Sequence, residues 1–187
     1  MDFDVVALQK TRLESVIQNF DKFALFSSGL ESEKHEFGCS FYVSGEFLKY
    51  VKYFKIINER ICCLRSKAKW FSYTLINIHA PANKNKKERK EEFCNLLEQN
   101  INQIASWDIK IMLGDFNAKV GKESTYKPTI GNESLRNKTN NSGIKMIQFA
   151  ISNGLNVRST TFPHKDIHKE TWYSADGRTA NQIDHVF

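Results

Sequence analysis

Residues 112–121 read Met-Leu-Gly-Asp-Phe-Asn-Ala-Lys-Val-Gly, and they hold the side chains best suited to chemistry. A short apolar run, Ile109 to Leu113, has the length and branched content of a strand, and Gly114 punctuates its end. Asp115 and Asn117 follow at once. In an extended backbone residues two apart face the same way, so the two side chains can point together into one cleft at a sheet edge. A carboxylate can take or orient a proton, and a neutral amide can donate to an oxyanion. The same residues also favour turns, so a plain strand-to-turn corner is the competing reading.

The elements that must carry this stretch follow from hydrophobic patterning. Strand-like runs are predicted at Phe3–Gln9, Lys22–Ser28, Phe37–Val43, Tyr50–Ile57, Arg60–Ser66 and Phe71–Ile78, with a hairpin turn at Asn58-Glu59. A helix is predicted over Lys87 to Ala105, with Phe93, Leu96, Leu97, Ile101 and Ile104 as its apolar face. Residues 121–142 are polar and read as the longest loop. A second helix fits Gly143–Ser152, with Ile144, Ile147, Phe149 and Ile151 partly inward, and Asn153-Gly154 stops it. Short strands are expected near Leu155–Arg158, Glu170–Tyr173 and Gln182–Phe187. Mixed strands with two helices give an α/β sandwich.

Composition limits the partners. The chain has 187 residues, read as one domain over residues 1–187, and 41% hydrophobic content argues against disorder. The net charge is +6 and the isoelectric point is near 9.1, which suits a polyanion such as nucleic acid. The densest basic run, Lys84 to Lys90, opens the first helix and reads as a solvated helix end before a phosphate contact. No stretch reaches the ~18 apolar residues of a membrane span, and the Met-Asp-Phe-Asp start lacks a basic leader, so an intracellular, nuclear location is expected. The four cysteines, Cys39, Cys62, Cys63 and Cys94, have no metal-site spacing. Adjacent Cys62 and Cys63 should face opposite sides of a strand, one in the core and one more exposed. Trp70, Phe71 and Tyr73 read as core strand residues. His164 and His168 have helical spacing, but Pro163 argues against a helix and a metal pair there. His185 should face away from Asp184 and pack or be solvated.

Gly114-Asp115-Phe116-Asn117 resembles the signature of the endonuclease/exonuclease/phosphatase superfamily. Further segments resemble it in order: Asp4-Val5-Val6-Ala7-Leu8-Gln9, Asn77-Ile78-His79-Ala80-Pro81, Thr171-Trp172 and Gln182-Ile183-Asp184-His185. The stretch from Thr161 to Thr179 resembles more narrowly the endonuclease domain of non-LTR retrotransposons and of the craniofacial development protein 2-like copies. The resemblance implies two packed β-sheets flanked by helices, a four-layer α/β sandwich. It implies a DNA endonuclease that hydrolyses a phosphodiester with Mg2+ or Mn2+, a metal neutralising charge on the phosphorus oxygens. It implies that Asp115 orients or deprotonates the water and that Asp115 and Asn117 lie at the metal. Asp184 would line the substrate side. His79 would contact phosphate in place of the usual tyrosine. Asn140, Thr171 and Trp172 would contact substrate.

Departures from the family pattern imply an impaired or inactive copy. Lys10 stands at the position of the metal-binding glutamate, and a lysine has only donors. At ~4 Å and an effective dielectric of ~20, a unit charge pair is worth about 4 kcal/mol, so exchanging −1 for +1 beside a dication costs on the order of 10 kcal/mol before screening. Weak or absent metal binding follows. Asp4 lies an even number of residues from Lys10, on the same face of an unbroken strand, but roughly 20 Å away, too far to replace the glutamate. The family's first strand and final Ser-Asp-His motif have no counterpart in the sequence, so truncation at both ends, an unpaired strand edge and marginal stability are expected. Two further readings stand beside the endonuclease: a non-catalytic nucleic-acid-binding remnant, and a phosphatase of small substrates.

Overall fold

The computed structural model describes residues 3–30, 36–82 and 87–187. They form two compact units. The first comprises residues 1–80 and 91–114, the second residues 81–90 and 115–187.

The first unit carries the sheets. Strands β1 (Val5–Gln9), β2 (Val16–Asn19), β3 (Phe23–Ser28) and β4 (Cys39–Ser44) form one antiparallel sheet in the order β1-β4-β3-β2. A short helix, α1 (Gly45–Leu48), follows, capped by the Ser44 hydroxyl, which accepts from the Phe47 amide. Strands β5 (Val51–Asn58), β6 (Ile61–Lys67) and β7 (Ser72–His79) pair antiparallel, and β8 (Ile109–Asp115) lies next to β7. Helix α2 (Lys87–Asn102) precedes β8.

Alternation within each strand builds the layers. Ala24, Phe26, Phe41 and Val43 of the first sheet meet Cys62 and Leu64 of the second in one core, with Phe54 and Leu75 packed against it. Register puts Cys63 and Ile76 on the other face of the second sheet. That face is covered as well. Cys63 lines a hollow with Asn100, Gln103 and Ile104 at the end of α2, and Lys55 Nζ donates to Asn100 and Gln103 at 2.9 and 3.2 Å. Both thiols are therefore buried, which corrects the expectation of one exposed cysteine. Burial holds the Cys62 thiol well above its ordinary value and pushes Cys63 up to about 12. Trp70 lies in the β6–β7 turn and is 82% exposed, so it is no core residue.

A buried amide ties the two sheets. Asn77 Nδ2 donates to the carbonyls of Leu8 and Ser40 at 3.0 and 2.8 Å, and its Oδ1 accepts from Gln9 Nε2 at 2.7 Å. Every hydrogen-bonding group of a fully buried side chain is thereby satisfied. The tie fixes the end of β1 beside β7.

The second unit is built around α3 (Asn141–Ser152) and the short strands β9 (Trp172–Tyr173), β10 (Ala180–Asn181) and β11 (Asp184–Val186). Met146, Ile147 and Ala150 are its helix core, whereas Ile151 is exposed. Gly154 adopts φ +64° and stops α3 as the sequence predicts. Leu155–Arg158 is not a strand: Val157 makes a single bridge to Ile130, and a 3-10 turn starts at Arg158. The polar 121–142 segment is clamped rather than loose. The Glu123 carboxylate accepts from the Thr139 amide and hydroxyl at 2.6 and 2.7 Å, and that hydroxyl accepts from Gly121 N at 2.8 Å.

Candidate active site

Strand β8 delivers Asp115, and Gly114 makes the approach possible. Gly114 has φ +138°, and a Cβ there would collide with the Ile78 carbonyl, so only glycine lets β8 lie this close to β7. Asp115 is 3% exposed. The strand ends there. Asn117 has φ +48°, and its backbone amide donates to Asp115 Oδ1 at 2.9 Å. Asp115 and Asn117 are thus linked by an Asx turn through the Asn117 backbone, not by the two-residue period of a strand. The two-residue strand period expected from the sequence is therefore not what relates Asp115 to Asn117.

The second carboxylate arrives on a neighbouring backbone. The Phe116 amide donates to the Ile183 carbonyl at 3.0 Å. Asp115 and Asp184 each stand one residue from that bond, so the chains carrying them run side by side. Thr171 holds this turn: its hydroxyl accepts from the Ile183 and Asp184 amides at 3.1 and 3.2 Å, and its own amide donates to the Asn181 carbonyl at 3.0 Å. In this geometry Thr171 positions Asp184. Trp172 is 41% exposed and pairs with Asn181 in the β9–β10 hairpin.

Asn140 has a defined local task. Its Oδ1 caps α3 by accepting from Gly143 N at 2.8 Å, and it also accepts from Lys119 N at 3.1 Å. Its acceptor is committed to the backbone just beyond the Asp115 turn. Gly143 lies so near the Lys119 carbonyl that a Cβ would collide with it.

His185 completes the support. It is fully buried; Nε2 lies 3.1 Å from the Ala118 carbonyl and Nδ1 2.8 Å from Ser159 Oγ. A carbonyl only accepts, so Nε2 carries the proton. Burial pushes the imidazole pKa down to about 4, against smaller raising effects of Ala118 and of the Asp115 charge. The ring is therefore neutral near pH 7, and Ser159 donates to Nδ1. Phe116 packs edge-on against His185 at 6.2 Å and against Phe187 at 5.0 Å. The sequence marked His185 only as a residue facing away from Asp184; its service to the Asp115 turn carries no local signal.

In the first unit, His79 closes β7. It is buried; its amide donates to the Arg60 carbonyl at 2.9 Å, and Arg60 donates back to the His79 carbonyl at 3.2 Å. The Arg60 guanidinium lies 3.8 Å over the Phe37 ring, and that ring is 6.1 Å from the imidazole. Lys10 follows β1 with φ +58°, so strand parity from Asp4 does not extend to it. The chain turns here, the Thr11 and Arg12 amides donating to the Gly38 and Phe37 carbonyls.

Metal fit can be judged on donors. Among the described residues no three His, Cys, Asp or Glu side chains gather as cation ligands. Asp115 and Asn117 supply one carboxylate and one amide. A hard dication takes six or more oxygens. This donor set does not fit the metal implied by the resemblance.

The two-sheet sandwich with its flanking helices is the fold of the endonuclease/exonuclease/phosphatase superfamily. The endonuclease domain of TRAS1, a telomere-specific non-LTR retrotransposon, superposes with a TM-score of 0.63 at 14% identity, covering 98% of this chain and 71% of that one. An AP endonuclease from Leishmania major gives 0.66 at 13% identity over 98% and 68%. An endonuclease/exonuclease/phosphatase family protein from Leptotrichia buccalis gives 0.57 at 12% identity over 99% and 75%. No protein-family profile matches the chain. In sequence it is similar to craniofacial development protein 2 of Bos taurus and of Tragulus javanicus, each 30% identical over 129 residues. That stretch is 69% of this chain, and the chain spans only 22% of the length of those relatives.

Proposed function

We propose that the chain is a phosphodiester-hydrolysing endonuclease domain of non-LTR retrotransposon descent, catalytically impaired, acting on DNA. The observation that carries this reading is the Asp115 turn. A buried carboxylate accepts from the Asn117 amide, and the neighbouring backbone presents Asp184. Asp115 can orient a water and the Asn117 side-chain amide can donate to a phosphate oxygen. The similarity to craniofacial development protein 2 and the retrotransposon fold neighbour support the lineage. Lys10 supplies the impairment, because it holds a cation where the resembled family needs an anion.

The test is nicking of supercoiled plasmid with magnesium or EDTA. The expected result is no nicking above background by the native chain, and magnesium-dependent nicking gained by Lys10→Glu and lost again in Lys10→Glu/Asp115→Ala. Vigorous nicking by the native chain would refute the impairment. Turnover of a soluble phosphomonoester without action on DNA would instead select a phosphatase.

A second reading, nucleic-acid binding without catalysis, rests on a basic hollow in the second unit. Lys87, Lys90 and Lys145 line about 350 Å³ together with Asn141 and Ser142 at the start of α3. Helix N-termini and lysines both favour phosphate. Salt-dependent DNA binding that persists in EDTA is expected on this reading, and its absence at low salt would remove it.

A further inference from the structure

The β6–β7 hairpin carries a residue at its tip that the turn does not require. Lys67 and Ser72 are its last pair, and the Ala68 amide donates to the Phe71 carbonyl at 2.8 Å, so Lys69 and Trp70 form the tip. Turns favour small or polar residues, yet Trp70 stands there largely in solvent. Lys69 Nζ lies 5.0 Å from the centre of its ring. The loop before β5 runs alongside, because the Lys67 amide donates to the Tyr50 carbonyl at 2.8 Å. That loop repeats the arrangement: Tyr50 is exposed, and Lys49 Nζ lies 5.1 Å from its ring centre. Phe71 is exposed as well and meets Tyr73 edge-on at 5.1 Å. A third element brings Trp107, 76% exposed, to the same end of the sheet. Its neighbour Asp108 is bonded to Arg65 of β6 and Thr74 of β7.

These aromatic rings are set in positive charge. Residues 45–52, 65–74 and 105–110 hold Lys49, Lys52, Arg65, Lys67, Lys69 and Lys110 against two carboxylates, Glu46 and Asp108. Asp108 is already engaged by Arg65. This end of the unit therefore attracts a polyanion. Exposed rings beside cations suit a ligand with a flat apolar face and a phosphate in every repeat, and a single nucleic-acid strand has both. A duplex hides those faces in its own stack, and an acidic peptide offers the charge without them. A bilayer fits less well, because the Lys69 ammonium lies against the Trp70 ring and would lose its water if that ring entered the acyl layer.

We propose that this end of the first unit binds a single strand of nucleic acid, its bases stacking on Trp70 and Trp107 and its phosphates meeting Lys49, Lys67 and Lys69. Strand β7 runs from Ser72 to His79, which sets the hairpin roughly 23 Å from His79. The surface is thus separate from that candidate phosphate contact. It uses no residue of the Asp115 turn, so it does not depend on hydrolysis.

The test uses the intact chain in EDTA and fluorescent oligonucleotides of about 12 nucleotides: single-stranded DNA, single-stranded RNA of the same sequence, and the DNA duplex. Anisotropy should show a single strand binding at least tenfold tighter than the duplex, the tighter of the two strands identifying the source. Trp70→Ala and Trp107→Ala should each weaken that binding at least fivefold, and Trp70→Phe, which keeps a ring, less than threefold, with unchanged circular dichroism of the protein. Lys67→Glu/Lys69→Glu should weaken it at least tenfold. The slope of log affinity against log salt should become shallower by about 1.4, as expected for two lost single-strand phosphate contacts. Duplex binding as tight as either strand, or strand binding indifferent to both tryptophan substitutions, would overturn the proposal. So would binding of phosphatidylserine vesicles without binding of any oligonucleotide, or self-association in sedimentation that Trp70→Ala abolishes in place of strand binding.

Discussion

The Asn117 backbone amide donates to Asp115 Oδ1 at 2.9 Å while Asn117 sits at φ +48°. The Asn117 backbone therefore fixes the carboxylate, whatever its side-chain amide does. The two can be separated. Glycine accepts the left-handed conformation and keeps the backbone donor, whereas alanine is strained there. Asn117→Gly should keep stability within roughly 0.5 kcal/mol, and Asn117→Ala should cost about 1 kcal/mol in urea unfolding. In the Lys10→Glu background both should lose nicking if the side-chain amide holds phosphate. Full nicking by Asn117→Gly would reduce Asn117 to a turn residue.

His185 makes stability depend on pH. Its ordinary value is 6.5, and burial pushes it to about 4 in the folded chain. Between those values the unfolded chain binds a proton that the folded chain does not, so stability rises with pH across that window. No penalty exists above pH 6.5; it grows as pH falls and levels off below about 4. The full effect is on the order of 3 kcal/mol. Urea unfolding at pH 7.5, 6, 5 and 4.5 should show this decline, and His185→Gln should flatten it while lowering stability at pH 7.5. An equally steep decline in the variant would assign the acid sensitivity elsewhere.

The strands of the first unit were legible because alternation repeats. Phe23–Ser28 and Ile61–Lys67 lie within a residue or two of their predicted positions. Strand β2 was missed because all four of its residues are exposed at a sheet edge, where no alternation is imposed. The geometry around the candidate site residues was not legible. Lys10, Arg12, Phe37 and Asn117 all take positive φ without being glycine, and each interrupts the two-residue period on which face arguments depend. Cys63 was misread because alternation says which faces a strand has, not whether both are covered. Only α2 packing back over the second sheet decides that, and that contact is remote in sequence.

Strand β8 is aligned by an ion pair at its foot. Asp108, just before the strand, accepts from Arg65 Nε and Nη2 at 2.6 and 2.8 Å and from the Thr74 hydroxyl at 2.9 Å. The hydrogen bonds from Arg65 hold the Asp108 carboxyl below its ordinary value, so this stabilisation is present at neutral pH and is lost as pH falls through the carboxylate range. The Asp108 side chain is 1% exposed, so removing either partner strands a buried charge or its donors. Asp108→Ala and Arg65→Met should each cost about 3 kcal/mol, while the double variant should cost clearly less than both together, by at least ~1 kcal/mol. Because Asp108 ties the start of β8 to β6 and β7, Asp108→Ala in the Lys10→Glu background should also lower nicking at temperatures where the chain stays folded. Additive losses in the double-mutant cycle would mean that the pair is geometrically close but energetically idle, and that β8 is aligned by its strand ladder without it.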